Sequence, residues 1–320
     1  MKIAVLLTPI NDRNLKLATQ AGAEEVVIPY PGEKLEDLLA TKKKVESYGL
    51  KVSVIERLLP HMKFVHNLPG RDEQIGLVKN LIINMGKAGI RVLCYNWMPD
   101  DDWQRTSVTV KERGGALVTE FDMSKKSQVP TDTGYATPVN EGKITPADQL
   151  WENLEYFLNE VVPVAEENNV KLALHPDDPP ICPPGKQPRI IIGIEAFEKV
   201  VNLYPSPSNG ICFCQGSFAS TGGIDLVDGI KRLAKNVHFV HFRDVNGAVP
   251  HFTETFIDNG KTDMAEMMKQ YLSLLPDHVP IRPDHVPTME GETNDNPGYE
   301  MLGRLHAIGY MQGLIHASQS

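Results

Sequence analysis

The sequence lacks the features that mark several classes of protein. No apolar run approaches the roughly 20 residues that a membrane-spanning helix needs, and Met1 and Lys2 lead directly into a strand-like segment rather than a signal peptide. No block of lysine and arginine accompanies the net charge of −9, so neither nucleic acid nor an anionic membrane is an expected partner. The four cysteines, at positions 94, 182, 212 and 214, show no disulfide spacing. We therefore expect a cytoplasmic protein with free thiols and a small-molecule ligand.

What the sequence does contain is a regular alternation of short β-branched runs with longer amphipathic stretches. This pattern is typical of parallel strands joined by helical crossovers. The eight predicted strands are 3–7, 25–29, 52–56, 91–96, 171–176, 210–215, 237–243 and 280–284. The clearest predicted helices are 33–48, 75–87, 147–169 and 193–203. Eight such units predict an α/β fold, a (β/α)8 TIM barrel, with residues 1–320 as a single domain. An open doubly wound sheet is the alternative, but no Gly-x-Gly-x-x-Gly turn follows the first strand.

One long interruption separates the fourth and fifth predicted strands. Residues 99–141 are polar and rich in turn formers, and they follow a strand whose end lies at the barrel mouth. We predict that they form a lid over the site; a mobile surface loop is the alternative. After them, Thr145 and Pro146 predict a helix with a threonine cap and proline at its first position.

Reactive groups in such barrels gather where the strands end. The period of two places Ala173 and His175 on one face of the fifth strand and puts Cys214 nearest the end of the sixth. On the seventh strand, His238 and His241 point to opposite faces, and His241 joins Arg243 at the mouth. The eighth strand ends in Asp284 and His285, which alternation would separate unless the strand breaks there.

Four consecutive strands ending in metal-capable side chains predict a metal site of His175, Cys214, His241 and Asp284. Such a set leaves a coordination position for substrate or water. Taken singly, a strand histidine is commonly structural and a buried cysteine commonly packs as a small apolar group. The thiolate favours zinc or iron over manganese, so the residues do not fix the metal.

At these residues the chain resembles the mannonate dehydratases of the xylose isomerase-like barrel group. The resemblance begins near Arg91 and continues to the C-terminus. The matching segments are 94–99 (CYNWMP), 102–106 (DWQRT), 175–180 (HPDDPP), 213–217 (FCQGS), 240–244 (VHFRD), 253–256 (TETF), 282–285 (RPDH) and 297–299 (PGY).

The resemblance implies a manganese ion on the same four residues. It also implies that His285 and Tyr299 are the acid/base pair and that D-mannonate loses water to give 2-keto-3-deoxy-D-gluconate. As a base, Tyr299 needs a pKa lowered by the cation or by an arginine such as Arg243. The alternatives are a histidine that only supports the metal ligands and a tyrosine that packs on the barrel rim.

The substrate pocket is less closely matched than the metal site. Asn96 and Arg105 lie in matching segments and are expected to bind substrate with Arg243, although Arg243 could equally neutralise nearby carboxylates. The first strand is followed by Thr8-Pro9-Ile10-Asn11-Asp12 and lacks the family's arginine- and tyrosine-bearing segment, which leaves the exact aldonic acid open. A sugar isomerase or epimerase and a catalytically silent sugar-acid binding protein are the alternative functions. A homo-oligomer is expected for a barrel enzyme.

Overall fold

The computed structural model describes residues 1–57, 59–100, 103–125, 143–182 and 186–319. In these ranges the strands, numbered in chain order, are β1 (Lys2–Leu6), β2 (Glu25–Ile28), β3 (Lys51–Glu56), β4 (Val92–Tyr95), β5 (Ser107–Lys111), β6 (Leu117–Asp122), β7 (Lys171–Leu174), β8 (Asn209–Cys214), β9 (Val237–Phe242), β10 (Val245–Ala248), β11 (His251–Glu254) and β12 (Pro280–Pro283). The helices there are α1 (Asp12–Gln20), α2 (Leu35–Glu46), α3 (Met62–Val65), α4 (Arg71–Ala88), α5 (Ala147–Glu167), α6 (Gly193–Leu203), α7 (Gln215–Thr221), α8 (Leu226–Leu233), α9 (Met264–Leu274) and α10 (Met301–Gln319).

Eight parallel strands close into a barrel in the order β1-β12-β9-β8-β7-β4-β3-β2. The pairing of Ile3 with Ile281 joins the first barrel strand to the last, which confirms the predicted (β/α)8 fold and excludes the open sheet. All eight predicted strands are present, with ends that shift by at most two residues. None of the helices in the described ranges is long and apolar enough to span a bilayer.

The alternation of side chains along each barrel strand produces two apolar layers. On β7, Ala173 belongs to the small cluster inside the barrel, whereas Leu172 and Leu174 pack outward in the larger cluster that the helices cover. This is the predicted alternation, and it carries the next inward position, His175, to the barrel mouth. Cys94, Cys212 and other small or medium residues fill the interior.

The helices begin and end largely where the sequence predicts. Gly89 ends α4 in the left-handed region, with φ of 71°, as its lack of a side chain allows. The predicted threonine cap of α5 is wrong, because Pro146 itself occupies the N-cap position. The hydroxyl of Thr145 instead hydrogen-bonds Nδ1 of His66 at 2.7 Å, which ties the start of α5 to the segment after α3.

A second sheet, which the sequence analysis did not predict, lies beside the barrel mouth. Four antiparallel strands follow in the order β10-β11-β6-β5, and β5 and β6 belong to the segment predicted as a lid. Within that segment, residues 107–111 and 117–122 form strands; residues 101–102 and 126–142 lie outside the described part. Phe121 and Phe252 pair across β6 and β11 and pack in a third apolar cluster. The backbone of Leu117 also bridges Thr288, so this sheet supports the segment that follows β12.

Candidate active site

A cavity opens at the C-terminal ends of the barrel strands. It encloses about 680 Å³ of space, including open solvent at its mouth. Its lining comprises Glu56, Arg57, Leu59, His61, Cys94, Tyr95, Asn96, Met98, Trp103, His175, Asp178, Arg282, Asp284, His285 and Tyr299. The strand ends therefore place chemistry-bearing side chains around one pocket, as a barrel of this kind does.

Three of the four predicted metal ligands converge at the cavity. The donor atoms of His175, Cys214 and His241 all lie within 4.8 Å of one another. Cys214 and His241 are paired in the register of β8 and β9, and the backbone N–H of His175 donates to Tyr95 on the neighbouring strand β4 at 2.7 Å. The convergence therefore follows from the strand register rather than from flexible loops.

The fourth predicted ligand, Asp284, follows β12 and contacts two of those three residues. Its Oδ2 lies 3.5 Å from the sulfur of Cys214, and its Oδ1 lies 3.8 Å from Nδ1 of His241. Each oxygen also faces a guanidinium, at 3.1 Å from Arg243 and 3.0 Å from Arg282. Burial favours the protonated acid, but His285 and the two arginines hold the pKa of Asp284 well below its usual value. Asp284 is therefore a carboxylate at neutral pH.

The charge state of Cys214 also suits metal binding. Burial raises the pKa of the Cys214 thiol, but the positive charge of Arg243 and of His175 outweighs burial and lowers the pKa to about 5. Burial lowers the pKa of His175, whereas the neighbouring thiolate raises it to about 9. The hydroxyl of Ser217 also donates to the sulfur at 3.2 Å. The site thus presents a thiolate, the form in which cysteine binds metals.

The predicted acid/base residues lie in direct contact. Nε2 of His285 and the phenol oxygen of Tyr299 are 2.9 Å apart, and the ring of Trp103 packs against both side chains. Because β12 ends at Pro283, Asp284 and His285 escape strict alternation, and both line the cavity.

The ionisation state of Tyr299 follows from its burial. Burial raises the pKa of the phenol even though the guanidinium of Arg57 lies 4.3 Å from the ring centroid and lowers it. Arg243, one of the groups that could lower this pKa, contacts His285, with Nη1 2.5 Å from Nδ1. Tyr299 is therefore a protonated phenol at neutral pH.

The three predicted substrate-binding residues differ in position. Asn96 lines the cavity, and its side-chain oxygen is buried without a hydrogen-bond partner among the described residues. Arg105 and Arg243 lie behind the cavity wall, at 0% and 1% exposure. Arg105 makes a two-point ion pair with Asp178, at 2.8 and 3.0 Å, and Arg243 contacts the same carboxylate at 2.9 Å. This geometry favours the view that Arg243 neutralises carboxylates.

Sequence reasoning missed four charged residues of the site. Glu254, at the end of β11, contacts Arg105 and lies 3.0 Å from Nδ1 of His285. Glu56, at the end of β3, makes a two-point ion pair with Arg282, at 3.0 and 2.8 Å. Asp178, which pairs with Arg105 and Arg243, is the remaining missed residue. Strand-end position was an available signal for Glu56, since it ends a barrel strand as the predicted ligands do.

Comparison with known proteins gives matches over nearly the whole chain. The model of the D-mannonate dehydratase (UxuA) family matches residues 11–320, a range that includes every residue of this site. A mannonate dehydratase of Streptococcus equi subsp. zooepidemicus is 36% identical over 310 residues, covering 89% of this chain and 83% of that protein. The crystal structure of the mannonate dehydratase of Streptococcus suis serotype 2 has a TM-score of 0.89 at 34% identity and covers 100% of this chain and 93% of that one. D-psicose 3-epimerase of Clostridium cellulolyticum H10 shares the fold alone, with a TM-score of 0.62 at 10% identity over 100% of this chain and 98% of that one.

Proposed function

Because this chain belongs to the D-mannonate dehydratase family, we propose that it removes water from D-mannonate, or a closely related aldonic acid, and releases 2-keto-3-deoxy-D-gluconate. The observation that carries the proposal is the convergence of His175, Cys214 and His241 beside the hydrogen-bonded pair of His285 and Tyr299. The partner is then a small sugar acid. Homo-oligomerisation and a cytoplasmic location stay predictions of the sequence.

The proposed metal is Mn²⁺, with Zn²⁺ or Fe²⁺ as alternatives, on His175, Cys214, His241 and Asp284. Nδ1 of His175 lies 2.6 Å from the carbonyl oxygen of Pro176, so that nitrogen can donate to it and leave Nε2 as the ligand atom. Asp284 must exchange at least one of its two guanidinium contacts for the ion. A bound divalent cation would stabilise the negative charge that develops when the carbon beside the substrate carboxylate loses its proton.

The remaining steps are assigned to side chains at the cavity. Tyr299, a protonated phenol, gives its proton to the departing hydroxyl, and His285 takes the proton from the carbon beside the carboxylate. The Asn96 side-chain oxygen faces the cavity and accepts a hydrogen bond from a substrate hydroxyl. Arg105 and Arg243 hold Asp178, Glu254 and His285 in place from behind the wall.

A direct assay tests this function. Metal-loaded protein is incubated with D-mannonate, and the 2-keto-3-deoxy acid is measured with a carbonyl-specific reagent. We expect product formation that a chelator abolishes and added Mn²⁺ restores. Interconversion of aldose and ketose without loss of water would identify an isomerase or epimerase instead, and tight binding without turnover would identify a silent binding protein.

Two cysteine variants test the metal assignment. Cys214→Ala removes the proposed thiolate ligand, so we expect bound metal and turnover to fall together. Cys182→Ala is the matched control, because this cysteine is exposed and lies outside the cavity lining. Full metal content and full turnover in Cys214→Ala would contradict the assignment.

A further inference from the structure

A second set of soft donor atoms lies inside the barrel, below the candidate active site. Cys94 on β4, Cys212 on β8 and His241 on β9 have donor atoms that all lie within 4.8 Å of one another. These three residues are at most 2% exposed. Neither Cys94 nor Cys212 has a part in the proposed dehydration. Neither belongs to the proposed ligands of the active site, which we call the upper set: His175, Cys214, His241 and Asp284.

The two ring nitrogens of His241 face different groups. Nδ1 lies 3.8 Å from Asp284 in the upper set, whereas Nε2 lies 3.3 Å from Oε1 of Glu56. Despite that distance, Nε2 makes no hydrogen bond of acceptable geometry with any residue that the structure describes. A buried polar atom without a well-formed hydrogen bond is unfavourable, so a buried imidazole nitrogen in this position points to a ligand.

We propose that Cys94, Cys212 and Nε2 of His241 form a second metal site, which takes a thiophilic divalent cation such as Zn²⁺, Cd²⁺ or Co²⁺. Two sulfurs and one imidazole nitrogen are ligand types of zinc sites, and a water molecule would complete a four-coordinate set. Glu56, which is held by Arg282, borders this site at 3.3 Å from Nε2. Each cysteine must release its proton when the cation binds, and Nε2 of His241 must be free of its proton as well. Cys94 and Glu56 line the cavity, so the cation has a path from the barrel mouth.

The simplest competing explanation is packing. Cys94 and Cys212 lie in the interior cluster with Ala4, Leu6 and Phe239, where a thiol behaves as a small apolar group. Packing accounts for the two thiols but leaves Nε2 of His241 with a contact to Glu56 at 3.3 Å that lacks the geometry of a hydrogen bond. The two explanations differ in whether the lower cysteines bind a metal when the upper site is disabled.

Cobalt absorption of the full-length Cys214→Ala variant makes that distinction. This variant has no thiolate in the upper set, so any thiolate-to-cobalt charge-transfer band must come from another cysteine. We expect a charge-transfer band whose molar absorptivity corresponds to two thiolate ligands. This band should disappear when Cys94→Ala and Cys212→Ala are added. Absence of the band in Cys214→Ala, or its persistence in the triple variant, would overturn the proposal.

A second measurement covers the case in which Cys214→Ala fails to fold. Cadmium NMR of the unaltered chain counts sulfur ligands, because each bound thiolate moves the cadmium resonance downfield. We expect a resonance typical of two thiolates that disappears in Cys212→Ser, while circular dichroism stays unchanged. A spectrum with only a one-thiolate resonance would refute the second site.

Discussion

The phenol oxygen of Tyr299 lies 2.9 Å from Nε2 of His285, and the other ring nitrogen of this histidine lies 3.0 Å from a carboxylate oxygen of Glu254. The three side chains connect the cavity to a buried carboxylate. Because Glu254 lies on β11, the orientation of the imidazole depends on the small sheet as well as on the barrel. The proposed proton-transfer residues are not themselves proposed metal ligands, so variants can test the two roles.

Tyr299→Phe removes the phenol hydroxyl and keeps the ring that packs against Trp103. We expect turnover of D-mannonate to fall by about 10²–10⁴-fold, the usual contribution of a general acid, while the bound metal measured by elemental analysis stays constant. Tyr310→Phe, on α10 and outside the cavity lining, is the control and should keep full turnover. Near-normal turnover in Tyr299→Phe would exclude the phenol as the proton donor.

His285→Asn tests the partner of that tyrosine. We expect metal content to persist and turnover to collapse, because an amide cannot accept the substrate proton. His278→Asn is the control, since His278 is exposed near the N-terminal end of β12, at the opposite end of the barrel. Retained activity in His285→Asn would remove this residue from the mechanism, and loss of metal would make it a ligand.

The barrel and most of the proposed metal site could be predicted because both follow from local periodicity. A period of two places Ala173 inside the barrel and Leu172 outside, so the position of His175 follows without tertiary information. The C-terminal ends of parallel strands meet at one edge, which brings Cys214 and His241 together wherever the intervening helices lie.

The small sheet and the buried ion pairs could not be predicted in the same way. β6 and β11 pair although Phe121 and Phe252 are far apart in the chain, and β5 and β6 show a register shift that obscures alternation. The partner of Arg105 is likewise decided by tertiary contact, because Asp178 and Glu254 come from other elements. A local pattern indicates a buried charge at best and does not identify the group that neutralises it.

Two similar ion pairs allow the effect of burial on stability to be measured. Arg105 pairs with Asp178 through two contacts with both side chains at most 3% exposed, whereas Arg113 pairs with Asp258 through two contacts at 43% and 28% exposure. We expect Asp178→Asn to lower the free energy of unfolding by about 3–5 kcal/mol, because the buried guanidinium groups of Arg105 and Arg243 lose a shared carboxylate partner. Asp258→Asn should cost less than about 1 kcal/mol. Equal losses in denaturant titrations would contradict this.

The lowered pKa of Asp178 predicts that the stability of the fold depends on pH. Burial favours protonation of Asp178, but Arg105 and Arg243 outweigh it and hold the folded-state pKa below the ordinary value of 3.8. The unfolded chain therefore takes up this proton at higher pH than the folded chain does. The stabilisation is complete above the unfolded pKa and is lost as the pH falls toward the folded one. Unfolding free energies measured at descending pH should fall less steeply in Asp178→Asn.

Gly216 gives Arg243 the room that its contacts require. A Cβ at this position would lie 1.9 Å from Nε of Arg243, so Gly216→Ala must displace the guanidinium that contacts Asp178 and His285. We expect turnover to fall with unchanged metal content, and overpacking to cost about 1–3 kcal/mol of stability. Gly309→Ala is the control, because its Cβ would meet nothing within 4 Å and alanine at this exposed position favours helix α10 by up to about 1 kcal/mol. Normal turnover in Gly216→Ala would show that the position of Arg243 is not needed for the reaction.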